Sequence, residues 1–233
     1  MSDKKDKKGK KILIGVLIGL GVSIMTIFVA FVVFMIYFFV GDPVKVTKGA
    51  DKYESTMNKY TKEVVATVHS GLYTFPEEIP ESAFSDGKEP VFYFSYKDTF
   101  NSPTCEVYLE CEYSKEDYEK EIGRLREKIP SKEEDPKLTE YLKYEEPGRF
   151  SNPVYIALDK NGHSYEYAMD LGDNKIAYIY TSYKQRLSKI KAIPKEYLPN
   201  DFEKSFVNLG WRDGFNVYLT QDTEGFRTFD YDR

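Results

Sequence analysis

The sequence predicts an α+β protein: one N-terminal transmembrane helix followed by an antiparallel sheet with helices packed on one face. Residues 12–41 predict the helix, because these thirty positions contain no charged side chain and about 20 apolar residues already span the ~30 Å hydrocarbon core of a bilayer. The sheet is predicted by segments in which apolar residues recur at every second position, and one segment between them has the period of a helix. The resulting order is strand, strand, helix and then three closely spaced strands, which is typical of an antiparallel α+β fold.

The residues before the apolar run set the expected orientation of the helix. The first eleven carry six lysines and two aspartates, and an excess of lysine favours the cytoplasmic side of a membrane. We therefore expect a single-pass protein of the cell membrane. Residues 1–11 would lie in the cytoplasm, residues 12–41 would contact the lipid bilayer, and the rest would lie outside the cell.

A cleaved signal peptide is the alternative interpretation of the same region. The apolar core of a signal peptide has only about 7–15 residues and ends in small side chains. Here the apolar run is far longer and ends in the aromatic stretch YFFV, which favours an uncleaved anchor. Gly15 and Gly19 form a small-xxx-small pair that would permit weak self-association of two such helices, although glycine is common in membrane helices anyway.

Net charge differs between the two sides of the predicted membrane helix. Of the 33 basic and 38 acidic residues of the chain, 27 and 36 lie beyond residue 11, so the outer part carries a net charge of −9. Binding to nucleic acid requires a basic face for the phosphates. The acidic outer part therefore argues against nucleic acid as a partner.

Beyond the membrane helix we expect a linker at residues 42–50 and one α+β domain at residues 51–208. Pro43 should end the membrane helix, because proline lacks an amide hydrogen and disfavours helical backbone at the preceding residue. Residues 51–70 repeat apolar side chains every three or four positions, which predicts an amphipathic helix. A stem that pairs two chains is the alternative, but the pattern lasts fewer than three heptads, so we expect this helix to pack on the sheet.

The two cysteines lie on one predicted strand, CEVYLECEY (105–113). Cys105, Val107, Leu109 and Cys111 alternate with glutamate and tyrosine, so we expect an apolar inner face and an acidic outer face. Six residues of extended chain hold the two thiols about 20 Å apart, whereas a disulfide needs α-carbons within about 7 Å. We therefore expect two reduced, buried cysteines.

The clearest helical pattern of the outer domain follows directly, in the segment SKEDYEKEIGRLREKIP. Ser114 can cap its first turn, and Pro130 should end it. The apolar positions of one face are Tyr118, Ile122, Leu125 and Ile129. We expect the flanking residues 71–90 and 131–153 to be loops, the second with one short helical turn around residues 138–142.

Three strands in close succession complete the predicted sheet, at residues 154–159, 164–171 and 176–183. Asn161 and Gly162 supply the positive φ angles of a tight turn between the first two strands, and a Gly-Asp-Asn sequence connects the last two. A short helix is expected at residues 201–207. Residues 209–233 contain two strand-like stretches, and a C-terminal hairpin and a flexible tail both remain open.

The sequence offers no constellation of residues that indicates catalysis. His69, at the predicted end of a helix, fits the helix dipole, and His163, beside a turn, fits a polar hairpin position. Metal-binding spacings, serine-nucleophile motifs and phosphate loops are absent. Paired glutamates fall in predicted loops, where solvated charges are more typical than the facing carboxylates of a glycosidase. We therefore assign no catalytic residue, metal ligand or cofactor site.

Tyrosine is used unusually often: the chain has 20, and several lie in predicted strands. A tyrosine combines a flat apolar ring with a hydroxyl, which suits contacts with a partner, so Tyr165, Tyr167, Tyr178 and Tyr180 form a candidate interaction face. Tyrosine is also a good strand former, and the same rings fit a core equally well. Their exposure decides between the two interpretations.

Five segments carry a resemblance to known sequences. They are YKDTF (96–100), VYLECEYSKEDYEKEI (107–122), HSYEYA (163–168), IAYIYTSY (176–183) and KEYLPNDF (195–202). These segments resemble those of uncharacterised membrane-anchored or exported proteins of Gram-positive, clostridial-type bacteria. The resemblance covers about residues 72–202 and implies a cell-surface setting, but it brings no activity, cofactor or binding residue.

Together these observations favour a non-enzymatic interaction or binding module at the cell surface. Its partner would be another membrane or envelope protein, bound through the tyrosine-rich sheet. A sensing or regulatory accessory subunit of a membrane complex is the alternative. A carboxylate-based hydrolase fits less well, because no arranged nucleophile or base is recognisable.

Overall fold

The computed structural model describes residues 3–40, 43–60, 72–85, 87–97, 104–129, 142–158, 164–182, 190–200, 219–222 and 225–228. The chain divides into two compact units, residues 1–43 with 99–101 and residues 44–98 with 102–233. The first unit contains the long N-terminal helix. The second contains the sheet and the remaining helices.

The N-terminal helix α1 spans Asp3–Val40. Within it, Leu13–Phe38 is a stretch of 26 residues with a mean hydropathy of 2.7 and exposed apolar side chains. By length and composition this helix can cross a membrane. It ends three residues before Pro43, as expected for a helix that approaches a proline.

The sheet of the second unit has seven strands, all antiparallel, in the order β1-β2-β3-β7-β6-β5-β4. The strands are β1 (Lys45–Lys48), β2 (Val91–Lys97), β3 (Thr104–Glu112), β4 (Leu142–Glu145), β5 (Val154–Leu158), β6 (Ser164–Gly172) and β7 (Lys175–Ser182). β3 and β7 are neighbours in the sheet although they are far apart in the chain. Their pairing begins with Glu106 opposite Thr181 and ends with Glu112 opposite Lys175. This pairing joins the early strands to the later meander, and the predicted α+β class is confirmed.

Two helices, α2 (Tyr53–Tyr60) and α3 (Lys115–Glu127), pack on the same face of the sheet. We call this the first face. Tyr53 from α2 and Leu125 from α3 lie in one buried cluster with strand residues that include Phe94, Val107 and Tyr178. Helix α3 begins as expected, because the Ser114 side chain accepts a hydrogen bond from the amide of Asp117. The prediction of helices on one face is therefore correct.

Residues 190–200, which include a 3₁₀ turn at Lys195–Tyr197, cover the second face of the sheet. Ile193 and Leu198 pack there against Tyr108, Ile156 and other strand residues. The prediction that this face of β3 is exposed is therefore wrong at two positions, because Glu106 is only 1% and Tyr108 only 4% exposed. The alternation was read correctly, but a distant segment covers the side that looked polar.

Two strands occur where the sequence predicted none. β1 lies inside the predicted linker 42–50 and pairs with β2, and β4 lies inside the predicted loop 131–153, beginning at the residue where a helical turn was expected to end. Each has four residues and stands at an edge of the sheet. Four residues are too few to establish a period, so only pairing reveals such strands.

The remaining turns and the C-terminal region follow the predictions where they are described. Gly172, Asp173 and Asn174 connect β6 to β7 with φ values of 75°, 49° and 61°, which glycine, aspartate and asparagine tolerate best. β8 (Leu219–Asp222) and β9 (Gly225–Thr228) form a separate antiparallel pair, and the other residues of the predicted C-terminal segment 209–233 lie outside the described residues. The end of the helix predicted at 51–70, the Asn161–Gly162 turn and the helix predicted at 201–207 lie outside the described residues.

Both cysteines are reduced and buried on β3, as predicted. Burial raises the pKa of the Cys111 thiol to about 12 and that of Cys105 well above its usual value. The two thiols therefore act as small apolar groups of the core.

Candidate functional site

A cleft of about 700 Å³ lies between α3 and the loop at residues 76–80. We call it the α3 cleft. It is lined by Pro76, Glu77, Glu78, Pro80, Tyr113, Asp117, Lys120, Glu121, Gly123, Arg124, Glu127 and Lys128. Six of these come from α3, at positions that recur every three or four residues and so share one side of it, and Lys128 follows directly after its end. The volume lies within the range of natural small-ligand sites.

A chain of hydrogen bonds runs beneath the α3 cleft. Tyr113 OH and Tyr178 OH lie 2.8 Å apart, and Tyr178 OH donates to Glu121 Oε1 at 2.7 Å. Glu121 also accepts from Arg124 Nε at 2.6 Å and from Nη2 at 2.5 Å, and Nη2 donates to the Thr74 carbonyl at 2.5 Å. A carboxylate only accepts, so the Tyr178 proton points to Glu121 and Tyr113 is the donor between the two tyrosines.

Burial keeps the two tyrosines of this chain protonated. Tyr113 is 2%, Tyr178 0% and Glu121 9% exposed. Burial raises the pKa of both tyrosines far above the usual value, and the Glu121 carboxylate adds to the shift. Both hydroxyls therefore remain donors at neutral pH. Because Glu121 already accepts three hydrogen bonds, it is poorly placed to take a proton from a substrate.

The opposite wall of the cleft is attached to the sheet through a buried carboxylate. Glu166, on β6, accepts hydrogen bonds from the backbone amides of Tyr73 and Thr74. The same loop is also held at Pro76, two residues after Thr74, because the Tyr53 hydroxyl of α2 donates to the Pro76 carbonyl at 2.5 Å. Burial raises the pKa of Glu166 to about 7, although the two amide donors oppose the shift. The wall is therefore held by a carboxyl group that titrates near neutral pH.

Carboxylates are the most frequent charged groups around the cleft. Asp117 accepts hydrogen bonds from the hydroxyls of Ser82 and Ser114, the second at 3.0 Å. These bonds lower the pKa of Asp117, which is therefore ionised. Three exposed glutamates complete the set: Glu77, Glu78 and Glu127.

Two lysines also line the cleft and differ in their surroundings. Lys120 is exposed. Lys128 is half-buried: its Nζ donates to the Tyr73 carbonyl at 2.7 Å and lies 4.8 Å from the centre of the Tyr73 ring. Burial lowers the pKa of Lys128. Lys128 therefore connects the end of α3 to Tyr73, in the loop that forms the opposite wall of the cleft. Lys120, in contrast, is exposed to solvent.

Gly123 leaves room inside the cleft. A Cβ atom built at this position meets no other atom within 4 Å. Its place within α3 costs helix stability, because glycine is less favourable there than alanine by about 1 kcal/mol. A larger side chain at this position would enter the cleft without displacing the core.

A second, smaller cleft of about 440 Å³ is lined by Arg126, Ile129, Tyr144, Glu146 and Tyr155. The rings of Tyr144 and Tyr155 lie 5.0 Å apart, and Arg126 Nε donates to Tyr155 OH at 3.3 Å. Tyr144 is 42% exposed. This cleft has fewer converging polar groups than the α3 cleft, which remains the stronger candidate.

The structure does not bring the four predicted contact tyrosines onto one exposed face. Tyr178 and Tyr180 are 0% and 1% exposed on the first face, whereas Tyr167 is 1% exposed on the second. Tyr165 pairs through its backbone with Leu158 and Thr181, and its side chain lies outside the described residues. The interpretation of a shared contact face is corrected for the other three: strand alternation sends their rings to two sides, and each side is covered.

The remaining sequence expectations concern catalysis and metal binding. Within the described part of the chain, no group of three His, Cys, Asp or Glu residues is placed to hold a metal ion. Both His69 and His163 lie outside the described residues.

Sequence analysis missed the residues that form the cleft. Glu121 and Arg124 were given no role, and Tyr113 appeared only as the last residue of the predicted strand CEVYLECEY. One signal was available, because glutamate and arginine three residues apart on a helix can pair. Nothing local indicated that Thr74 or Tyr178 would join them, since these contacts connect residues far apart in the chain.

Comparisons with protein-family models, with curated proteins and with solved structures found no match.

Proposed function

We propose that this chain is a single-pass membrane protein whose outer domain is a non-enzymatic binding module at the cell surface. The apolar helix Leu13–Phe38 supports the anchor, because it is long enough to cross the hydrocarbon core. The lysine-rich residues before it support a cytoplasmic N-terminus and hence an α+β domain outside the cell.

The α3 cleft is the observation that carries the binding function. Two of its polar groups are already oriented, because Glu121 is bonded to Arg124 and accepts from the Tyr178 hydroxyl beneath the cleft. Groups held in this way lose little further freedom when a ligand binds. The same bonds occupy the Glu121 carboxylate, which is therefore poorly placed to act as a general base. Binding therefore accounts for the arrangement better than turnover does.

Site-specific photocrosslinking in intact cells tests this proposal. A photoreactive amino acid replaces Lys120 at the edge of the cleft, and a matched control replaces Lys195, an exposed lysine on the segment that covers the second face. We expect a discrete adduct from position 120 that position 195 does not give.

Two substitutions of Gly123 tie this adduct to the cleft. Gly123→Trp fills space in which a Cβ meets no atom within 4 Å, whereas Gly123→Ala adds one methyl group. The tryptophan variant should lose the adduct and the alanine variant should keep it. Equal adducts from both variants, or the same adduct from position 195, would show that the cleft is not the binding site.

A further inference from the structure

We propose that the α+β domain rests on the lipid surface through β1, whose exposed valine and lysine side chains contact the headgroups. This inference rests on the proposed membrane anchor and goes beyond it, because an anchor alone leaves the domain free to turn on its tether. We call the contact surface the β1 rim, and its exposed residues are Val44, Lys45, Val46, Lys48 and Val91.

Chain length keeps β1 close to any membrane that α1 crosses. The helix ends at Val40 and the strand begins at Lys45, and five residues of extended chain reach at most about 17 Å. A tether this short holds the strand at a high effective concentration beside the headgroups. The lipid surface is therefore the partner that β1 meets most often.

The β1 rim exposes apolar side chains at this position. Val44 is 55% exposed, and Val46 and Val91 are each 51% exposed. In the register of β1 with β2, Val46 and Lys48 lie on the same side of the sheet as Tyr93, which belongs to the second face. Val91 precedes Tyr93 by two residues on β2 and so lies on that side too. Single exposed valines are ordinary on a soluble surface, but these lie at the sheet edge that the tether holds near the lipid.

The two lysines of β1 suit the phosphate groups of lipids. Lys45 and Lys48 are both exposed, and neither forms an ion pair with another residue that the structure describes. Lys48 Nζ lies 5.5 Å from the centre of the Tyr93 ring. A lysine can lay its apolar stem along such a surface while its ammonium group reaches a phosphate. Valines between lysines thus match the boundary between hydrocarbon and headgroups.

A second copy of the chain fits β1 less well than lipid does. β1 stands at an edge of the seven-stranded sheet, so pairing with β1 of another copy is the alternative. The antiparallel register that pairs all four residues places Lys45 of each copy opposite Lys48 of the other. Like charges directly opposite each other destabilise a strand pair, and lysines on an edge strand are a common means of preventing such pairing.

Quenching by lipid measures the contact at a position that the tether does not hold. A fluorophore is attached to Val91→Cys in the full chain, which is reconstituted in anionic nanodiscs with or without nitroxide-labelled headgroups. The control is Glu146→Cys, an exposed position directly after β4 at the opposite edge of the sheet, six strand spacings or about 29 Å from β1. We expect position 91 to lose most of its fluorescence and position 146 to keep it. The unsubstituted chain, treated in parallel, measures any labelling of the native thiols.

Matched variants assign the contact to β1. Lys45→Glu with Lys48→Glu should restore the fluorescence at position 91, because both charges would then repel an anionic surface. Val46→Asp should restore it as well, because it replaces the apolar contact by a charge. The control Lys115→Glu with Lys195→Glu reverses two exposed lysines elsewhere and should leave the quenching unchanged. All these positions are exposed, and circular dichroism checks that each variant is folded.

The outcomes separate this inference from the proposed function. Equal fluorescence at positions 91 and 146 overturns it, and so does quenching at position 91 that survives in both β1 variants. If both lysine pairs restore the fluorescence equally, overall charge and not β1 attracts the domain, and the inference is again overturned. A chain that does not co-elute with nanodiscs contradicts the anchor itself and removes this inference with it. Co-elution without quenching at position 91 contradicts the β1 contact alone.

Discussion

At the scale of single residues, two buried glutamates attach covering loops to the sheet from opposite sides. Glu166 binds the amides of residues 73 and 74 on the first face. Glu106 binds the amides of Lys191, Ala192 and Ile193 on the second face, at 3.1, 2.9 and 3.4 Å. Burial raises the pKa of both carboxyls. Each carboxylate satisfies loop amides that would otherwise be buried without partners.

Glu166 should make the stability of the α+β domain depend on pH. Burial raises its pKa from 4.5 to about 7, so the folded state keeps a proton that the unfolded state has released between these values. The free energy of unfolding should therefore fall as pH rises from about 4.5 to about 7, by on the order of 3 kcal/mol for the whole shift. In Glu166→Gln the amide oxygen still accepts from both backbone amides but nothing ionises, so this loss should shrink.

Urea unfolding of the full chain in uncharged micelles, followed by circular dichroism at pH 5 and pH 8, measures the effect. Glu196→Gln, at an exposed position, is the matched control and should lose as much stability as the wild type. Equal losses in Glu166→Gln and in the wild type would contradict the role given to this carboxyl.

Tyr167 should behave as a core residue. Its ring lies 5.0 Å from that of Phe150, and its hydroxyl donates to the Tyr197 carbonyl at 2.9 Å. Tyr167→Phe removes the hydrogen bond alone and should cost about 1 kcal/mol of unfolding free energy. Tyr167→Ala also removes the buried ring and should cost about 3–5 kcal/mol. Urea midpoints compare the two variants, and an unchanged midpoint for the alanine variant would show that the ring is not part of the core.

At the scale of elements, periodicity predicts best where one face of an element is apolar and the other is exposed. α3 satisfies this condition, and its cap at Ser114 and its buried side chain Leu125 are as predicted. β3 does not satisfy it, because residues 190–200 cover its second face. The four-residue strands β1 and β4 carry too little pattern to be recognised before their partners are known.

The thiols of β3 should be protected by the fold alone. Cys105 and Cys111 are buried with raised pKa values, and alkylation requires an accessible thiolate. We expect no labelling of the native full chain and two adducts by mass spectrometry after denaturation. Ser55→Cys, at an exposed position, is the control and should label in the native state. A disulfide between the two native cysteines would show that this segment is not one extended strand.

At the scale of the whole molecule, a long apolar helix is joined in one chain to an α+β unit whose sheet is built from both halves of that unit. The β3–β7 pairing connects positions as far apart as Glu106 and Thr181. Such a pairing must first close a long loop, and the entropy lost in closing it is offset by the contacts that the paired strands then make. The helices and residues 190–200 supply that cover on the two faces.

The proposed topology predicts the result of limited proteolysis. A protease that cannot cross membranes, added to protoplasts, should digest the domain beyond Pro43, whereas a tag fused before Met1 should stay intact. In inverted vesicles the tag should be lost and the domain protected. Lysis with detergent is the control that exposes both. Loss of the tag from intact protoplasts would reverse the orientation.

The sequence by itself determined what depends on neighbours along the chain. It predicted the apolar helix from its length, five of the seven sheet strands and α3 from their periods, and the separation of the two thiols from strand geometry. The tertiary structure alone decided the cover of the second face, the two edge strands, the burial of the tyrosines and the α3 cleft. The physical reason is that each of these depends on contacts between distant segments, such as Arg124 with Thr74 and Glu166 with the Tyr73 amide, which local patterns do not encode.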